Sequence, residues 1–464
     1  MSAPAASRSR ALWLEYLLGL GVLLLIGKAM WWLYLYGYLP QPFFYEPSDT
    51  YMDWFNTAYW ARDNGAYDSW RTIYPPLSFV VLRFLGKGSC YAGAEGLVVR
   101  DCDWVGLAVI HGIFLLNIVL VARTFLKIDR RTALPRAIAL SAGLPMLYAV
   151  ERGNILLLCF TAMLLGFGPL LRSARLRWLF VGIAVNFKIY LVATIATQLL
   201  RRRWLWCEGA LISTLLIYLL SFGLLGAGTP KEIITNITDY SSGFIASQVL
   251  DIWYSVTYQP LISLLQGESF PVTNAIGSQA AETGLAILPS LIRVGQLAIL
   301  AGAFATWLRP EVVPVHRIAF FGTALALISS EAGGYTQMMV ILFVFMEAWR
   351  GIARPIAILL CYILCLPGDI IVSSVPSIIR DSYLAGRSVE VEFGVGLGMF
   401  LRPGMLILVG ISLSAATIRD VWADIREQGW KDRWRYRRDW PLLPGIRRPR
   451  PPGAASGSLE GQVR

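Results

Sequence analysis

The feature that most constrains this chain is a series of apolar stretches, each roughly 18 to 22 residues long, that recurs along the sequence. A helix of that length crosses the hydrocarbon core of a bilayer, which is about 30 Å thick. The composition agrees, because 56% of the 464 residues are hydrophobic and only 15% are charged, unlike a typical soluble domain. The pattern predicts an all-α, polytopic bundle of transmembrane helices without internal repeats.

Basic residues predict the orientation of the first span. The apolar stretch over residues 11–37 follows Arg8 and Arg10 and has no convincing cleavage site, so we expect an uncleaved span. The positive-inside rule then places the N-terminus in the cytoplasm. The loop over residues 38–103 is expected on the other side of a cell (inner) membrane, facing the periplasm or its equivalent.

Later basic clusters obey the same rule only if one apolar segment does not cross the membrane. Residues 178–200 are long enough for a span, yet basic clusters flank both ends, at 172–177 and 201–203. A re-entrant hairpin on the cytoplasmic side keeps every later cluster inside. The sequence therefore predicts about ten spans plus this hairpin within a membrane domain over residues 1–418, followed by a basic cytoplasmic tail over 419–464.

The distribution of charge indicates which partners to expect. The formal net charge of +11 fits a topology signal and anionic headgroups, so we predict membrane lipids and no nucleic acid as partners. Acidic residues concentrate in the segments predicted outside, where any chemistry should therefore take place. No His/Cys cluster has metal-ligand spacing, and we predict neither a metal nor a cofactor.

Two of the six cysteines lie in a loop rather than in an apolar segment. Cys90 and Cys102 share the first outward loop, where an oxidising compartment would allow a disulfide. Two free thiols are the alternative.

The first outward loop carries an unusual combination of acids, aromatic residues and prolines. Residues 53–62 predict an amphipathic helix that ends at Asn64 and Gly65. Its aromatic side chains suit the membrane interface, and they can also stack on sugar faces. Pro75 and Pro76 fix the direction of the chain as it enters the next apolar stretch.

The order of these elements resembles the polytopic glycosyltransferases of the GT-C superfamily, and among them the polyprenyl-phosphate-mannose-dependent family 87. The matching elements are Asp49 after the first span, the aromatic helix over 51–61, the Gly-Ala-Tyr turn at 65–67 and Tyr-Pro-Pro-Leu at 74–77. Two weaker matches are the turn Arg152-Gly153-Asn154-Ile155 and the hairpin segment Phe187-Lys188-Ile189-Tyr190, where Leu191 replaces the proline of the family pattern.

The resemblance implies an enzyme that transfers a monosaccharide, with mannose favoured, from a polyprenyl-phosphate carrier. The acceptor would be an envelope glycolipid or polysaccharide on the outer face of the membrane. Asp49 takes the position of the catalytic general base, and Asp53 is the local alternative. The non-catalytic alternative for Asp49 is an N-cap of the following helix.

Other polar residues are candidates for substrate binding. Arg152, Arg293 and Lys188 are cations that could stabilise the leaving phosphate. Arg152 could instead pair with Glu151 or snorkel to the interface, and Arg293 could be a topology-neutral interface residue. Lys188 could instead snorkel or hydrogen-bond the broken backbone of the hairpin. Ordinary satisfaction of helix ends is the alternative for the residues near 331–337. The remaining candidates for contact with sugar or acceptor are Tyr74, Asn154, Glu331, Tyr335 and Gln337.

Two other classes of protein share some of these features. A transporter or flippase of lipid-linked sugars would also be polytopic and would also place charged residues and broken helices at membrane depth. The missing inverted repeat argues against it. A non-catalytic subunit of an envelope polysaccharide machine is the third alternative.

Overall fold

The protein is described by a computed structural model that covers residues 5–62, 65–93, 96–241, 254–266, 272–329, 332–374 and 376–430. Helices account for 73% of the residues and strands for 5%, which confirms a predominantly helical membrane protein. Within the described ranges, six helices are long and apolar enough to cross a membrane. They are Arg10–Tyr36, Trp104–Ile128, Ala133–Arg152, Trp204–Leu225, Ser278–Leu308 and Gly398–Gln428. The predicted number of about ten spans stays a prediction.

The first half of the chain contains three long helices separated by groups of shorter ones. The helix that begins at Trp104 is capped by Asp103, whose side chain accepts a hydrogen bond from the backbone N–H of Gly106. The helices are α1 (Ala5–Tyr36), α2 (Met52–Trp60), α3 (Pro76–Phe84), α4 (Gly96–Cys102), α5 (Trp104–Ile128), α6 (Ala133–Ser141), α7 (Leu144–Arg152), α8 (Leu156–Phe167), α9 (Ala174–Phe187), α10 (Val192–Ala196) and α11 (Trp204–Leu225).

Helices α9 and α11 run parallel, although they are close neighbours in sequence. Trp178 near the start of α9 packs on Gly209 of α11, whereas Asn186 near the end of α9 donates to the carbonyl of Thr214. Because the contacts advance in the same direction, residues 188–203 must run back along the bundle. The chain breaks at Lys188 and returns through short helical turns. The chain therefore turns back between α9 and α11, and the predicted re-entrant position of this turn in the membrane stays a prediction.

The second half repeats this arrangement on a larger scale. Gly295 of one long helix packs on Ile407 of another, and Gly302 packs on Ser414, so these two helices are also parallel. The later of the two continues past residue 418, so the predicted boundary between membrane domain and tail falls inside a helix. The helices are α12 (Pro230–Ser241), α13 (Gln259–Gln266), α14 (Val272–Ile276), α15 (Ser278–Leu308), α16 (Val315–Ser329), α17 (Gln337–Val344), α18 (Ala353–Leu364) and α19 (Gly398–Gln428).

Four short strands lie between α18 and α19, and the sequence did not predict them. Antiparallel pairing of the inner two and of the outer two places one hairpin inside another. The inner hairpin packs on the end of α1, where the Ser382 hydroxyl donates to the carbonyl of Gly37 over 2.5 Å. The strands are β1 (Ile371–Ser374), β2 (Ile378–Ser382), β3 (Arg387–Val391) and β4 (Gly394–Gly396).

The segments predicted outside meet at one end of the bundle, which we call the outward end. The backbone N–H of Tyr383 in the inner hairpin donates to the carbonyl of Pro47, and the N–H of Tyr51 donates to that of Glu151. Ser255 forms an isolated bridge with Gly333. The first outward loop, the turn after α7, the segment before α17 and the strands therefore share one location.

Candidate active site

Asp49 lies in a tight turn and not at the cap of a helix. The turn, Pro47–Asp49, is a single 3₁₀ turn, and α2 begins only at Met52. Tyr51 is the N-cap of α2 in a left-handed conformation, and no side chain caps that helix. The N-cap alternative for Asp49 is therefore wrong. The turn directs the Asp49 carboxylate instead toward the end of α7.

Arg152 joins the two candidate catalytic acids. Its Nη1 lies 2.6 Å from Oδ2 of Asp49, and its Nη2 lies 2.6 Å from Oδ1 of Asp53. The Asn154 amide donates to Oδ2 of Asp53 over 2.7 Å and to the Tyr335 hydroxyl over 3.2 Å. We call these five residues the carboxylate cluster. Sequence reasoning singled out all five, and the structure brings them together.

The chain reaches this arrangement because α7 ends directly beside the Asp49 turn. Gly153 follows Arg152 with a positive φ of 63°, a conformation that glycine adopts at little cost. A β-carbon at Gly153 would approach the carbonyl oxygen of Tyr51 to 2.9 Å. A glycine is therefore required both for the turn and for the close approach of the two backbones.

Asp49 and Asp53 differ in how many of their carboxylate oxygens accept a hydrogen bond. Both oxygens of Asp53 accept hydrogen bonds, one from Arg152 and one from Asn154. Asp49 uses Oδ2 for Arg152, and within the described ranges its Oδ1 accepts no hydrogen bond. Its side chain is also the more exposed, at 30% against 23% for Asp53. Asp49 therefore keeps one carboxylate oxygen without a hydrogen-bond donor from the described residues, whereas both oxygens of Asp53 are used within the cluster.

The surroundings of Asp49 shift the pKa of its carboxyl group. Burial raises the pKa of Asp49 above its ordinary value, and although the Arg152 charge opposes this, the net shift is upward; Asp53 adds to the rise. Two carboxylates share one guanidinium, so the cluster keeps one net negative charge. A carboxylate with a raised pKa is a stronger base than an exposed aspartate.

Arg152 is already neutralised, which bears on its predicted role. Both of its terminal nitrogens bind carboxylates, and its guanidinium lies over the Phe44 ring at 4.0 Å. Its contact with a leaving phosphate stays a prediction. In this geometry its first task is to orient Asp49 and Asp53.

Sequence reasoning missed the residues that hold the Asp49 turn. Arg100 on α4 is 5% exposed, and its Nη1 donates to the carbonyls of Ser48 and Thr50 over 2.5 and 3.0 Å. The ring of Tyr383 lies 3.8 Å from the same guanidinium. The carbonyls on both sides of Asp49 are thus fixed by one buried cation.

One sequence signal could have found Arg100, namely its position two residues before Cys102. Cys102 ends α4 and forms a disulfide with Cys90. The disulfide was one of the two alternatives for these cysteines, and it ties α4 to the loop before it. For Tyr383 the sequence carries no comparable signal.

Lys188 and Tyr74 form a second group at the outward end. The Nζ of Lys188 lies 4.4 Å from the centre of the Tyr74 ring. Cys159 on α8 donates to the carbonyl of Ala184, so the turn that carries Lys188 packs on the first half of α8. Because α8 begins just after Asn154, this group lies beside the carboxylate cluster. No ion pair to Lys188 occurs among the described residues, which leaves its charge available for an anion.

Of the three remaining candidates, the two that the structure describes, Gln337 and Arg293, join neither group. Gln337 begins α17, is fully buried, and donates weakly to the carbonyl of Ser255 over 3.4 Å. Arg293 lies on the exposed face of α15 beside Leu291 and Val294, and in the described part of the chain no contact links it to the cluster. Glu331 lies outside the described residues.

Comparison of the chain with protein-family models, curated proteins and solved structures finds no match. The resemblance to family 87 therefore rests on the sequence motifs alone.

Proposed function

We propose that the protein is a membrane glycosyltransferase that moves a monosaccharide from a polyprenyl-phosphate carrier to a hydroxyl of an envelope glycolipid or polysaccharide on the outer face of the membrane. One observation carries the proposal. At the outward end, directly after the first candidate span, Asp49 holds a part-exposed carboxylate oxygen that accepts no hydrogen bond from a described residue. Mannose is the favoured sugar on the motif resemblance only.

Asp49 acts as the general base of the transfer. It takes the proton of the acceptor hydroxyl while that oxygen attacks the anomeric carbon. The bond from this carbon to the phosphate oxygen breaks, and polyprenyl phosphate leaves with the electron pair. A base on the face opposite the leaving group inverts the anomeric centre, by the logic of inverting glycosidases.

The neighbouring residues position the base and receive the leaving group. Arg152 and Asn154 fix Asp53, and Arg152 holds Asp49 at the angle that leaves Oδ1 free. Lys188 supplies a cation for the departing phosphate, because charge-assisted contacts to phosphate are among the stronger hydrogen bonds. Its position over the Tyr74 ring keeps the ammonium close to the outward end.

The test is transfer of radiolabelled mannose from synthetic polyprenyl-phosphate mannose to an envelope-lipid extract by the purified protein in detergent. Wild type is compared with Asp49→Asn and with Asp68→Asn, which makes the same charge change at an exposed position of the same loop. We expect wild type and Asp68→Asn to transfer mannose, and Asp49→Asn to be slower by about 10²- to 10⁴-fold.

Detergent solution also separates the enzyme from a transporter, because it offers no second compartment. Equal activity of Asp49→Asn and wild type would remove Asp49 from the mechanism. Absence of transfer by wild type with a panel of polyprenyl-phosphate sugars, together with movement of lipid-linked sugar across reconstituted liposomes, would replace the proposal with the transporter.

A further inference from the structure

A cavity of about 680 Å³ opens beside α1 at the outward end. Its walls come from α1, the end of α18, strand β1 and the start of α19, and most of the lining is apolar, including Leu25, Leu401 and Met405. The volume lies within the roughly 300 to 1,000 Å³ of small-molecule sites. Because α1 and α19 are long and apolar enough to cross a bilayer, the apolar part of this cavity lies between two candidate spans, where a lipid chain can reach it.

The cavity also contains four charged side chains, of which two are already paired. Arg402 bonds to Asp369 over 3.0 Å and to the carbonyl of Gly368 over 2.6 Å. Lys28 and Glu392 line the same cavity, and neither side chain has an ion pair or hydrogen bond to any described residue. A lysine within a candidate span is costly unless it meets an anion or reaches the interface.

The two unpaired charges lie at different depths. Lys28 precedes Tyr36, the last residue of α1, by eight positions, which is about 12 Å of helix rise. The backbone N–H of Glu392 donates to the Tyr38 hydroxyl over 3.1 Å, so Glu392 lies beyond the end of α1. The positive charge is therefore nearer the middle of the membrane, and the negative charge is nearer the water.

We propose that this cavity binds a phospholipid whose headgroup carries a primary ammonium outside its phosphate, as in phosphatidylethanolamine. The phosphate pairs with Lys28, which snorkels toward the interface, and the ammonium pairs with Glu392. The first part of the acyl chains lies against Leu25, Leu401 and Met405. Phosphatidylglycerol has no ammonium, and the quaternary ammonium of phosphatidylcholine has no N–H to donate. The deeper positive charge and the outer negative charge together thus favour phosphatidylethanolamine over the other two lipids.

The bound lipid would also support the loop that leads to Asp49. Phe393 and Gln41 line the cavity. Phe393 contacts the ring of Tyr45, with 5.5 Å between centroids, and Gln41 exchanges two hydrogen bonds with Gly394. A lipid here braces strand β4 and the chain before the Asp49 turn. This role requires no transfer reaction.

The test is titration of the detergent-purified full chain with dioleoyl-phosphatidylethanolamine, -phosphatidylglycerol and -phosphatidylcholine, followed by native mass spectrometry and by the thermal unfolding midpoint. Wild type should bind the ethanolamine lipid about tenfold more tightly than the other two, since one charge-assisted pair is at stake. Lys28→Gln should weaken binding of all three by about tenfold, and Lys28→Arg should restore it. Glu392→Gln should remove only the preference for ethanolamine.

The matched control is Lys231→Gln, which removes a positive charge from the exposed surface of α12 outside the cavity; it should behave as wild type. Equal binding of the three lipids by wild type would overturn the proposal. So would tighter binding of phosphatidylglycerol, an unchanged lipid affinity in Lys28→Gln, or an unchanged lipid preference in Glu392→Gln. These readouts do not depend on glycosyl transfer, so the lipid site and the proposed enzyme can fail separately.

Discussion

Two clusters of acids and arginines lie at opposite ends of the bundle and differ in the number of cationic partners that each carboxylate has. In the opposite-end network, formed by His316, Arg317, Glu347, Arg354 and Asp420, Glu347 pairs with Arg317 over 2.5 Å and with His316 over 3.0 Å. Asp420 pairs with Arg317 over 3.0 Å and also with Arg354. Glu347 also lies 3.5 Å from Nε of Arg354, so each carboxylate there has two arginine partners, whereas Asp49 and Asp53 share one arginine.

The two clusters also differ in the exposure of their carboxylates. The Glu347 side chain is 3% exposed, compared with 30% for Asp49. A buried carboxylate surrounded by cations joins helices and has no capacity left for a substrate. A part-exposed carboxylate with an unused oxygen contributes little to packing and is free to take a proton. The balance of charge, and not the presence of ion pairs, thus separates the proposed catalytic site from the structural network at the opposite end.

The largest expected effect is on stability, at the opposite-end network. Glu347→Ala leaves Arg317 buried without its main partner, and breaking such a buried pair costs about 3–5 kcal/mol. Thermal and denaturant unfolding of the purified protein would measure this loss. Asp49→Asn is the matched variant and should leave the unfolding midpoint nearly unchanged. Similar midpoints for the two variants would break the comparison.

The next effect is on the geometry of the carboxylate cluster. Arg152→Lys keeps the charge, but a single ammonium cannot hold both carboxylates in the forked geometry of a guanidinium. Misplacement of a catalytic group by about 1 Å can cost on the order of 10²-fold in rate, so we expect a loss of that size in kcat for sugar transfer. Arg354→Lys at the opposite end is the control and should retain wild-type kcat. A retained kcat in Arg152→Lys would show that Asp49 does not depend on this contact.

A smaller effect is expected at Arg100, which contacts the backbone of the Asp49 turn. Arg100→Met removes the cation that fixes the carbonyls of Ser48 and Thr50, and we expect kcat to fall by about tenfold while KM stays within twofold. Arg71→Met, at an exposed position of the same outward loop, should match wild type. If Arg100→Met instead lowers the unfolding midpoint and leaves kcat intact, Arg100 serves stability and not positioning.

The smallest effect is a difference in pH response between the two ends. The raised pKa of Asp49 means that transfer should decline with falling pH at values above those typical of an exposed aspartate, because the base must be ionised. At Glu347, burial acts to raise the pKa, but hydrogen bonds from His316 and Arg317 outweigh it and lower the pKa to about 2.

The signs for stability are therefore opposite. Glu347 contributes stability that is present above its ordinary pKa of 4.5 and is lost as pH falls toward about 2. Asp49 contributes most when it is protonated, and its contribution falls as pH rises through its raised pKa. A pH–rate profile and unfolding midpoints for wild type, Asp49→Asn and Glu347→Gln would check both. An acid limb of the rate profile unchanged in Glu347→Gln is the expected control result.

Some of this architecture could be predicted from the sequence, because its signals are local. Apolar length indicates the helices, and the flanking arginines at 172–177 and 201–203 indicate the return of the chain after α9. Motif order brought Asp49, Arg152 and Asn154 into one hypothesis. The direction of α11 relative to α9 agrees with that charge argument.

The rest depends on contacts between distant segments. Strands β1 to β4 have few residues and no sustained alternation, and their pairing is a tertiary effect that local propensity does not reveal. For the same reason the sequence did not indicate that Arg100 and Tyr383 would meet at the Asp49 turn. Nor did it show that Asp49 and Asp53 would both pair with Arg152, because a single sequence gives the charge of a residue but not its partner.

The outward end is assembled from pieces that the ribosome delivers at very different times. The Asp49 turn and Arg100 come early, Arg152 follows in the first third of the chain, and Tyr335 and Tyr383 come late. Contacts between residues so far apart in the sequence form slowly during folding. A polypeptide that ends before Tyr335 would carry Asp49, Arg100 and Arg152 without Tyr335 and Tyr383. The carboxylate cluster and the support of the Asp49 turn are thus complete only when Tyr335 and Tyr383 join the earlier residues.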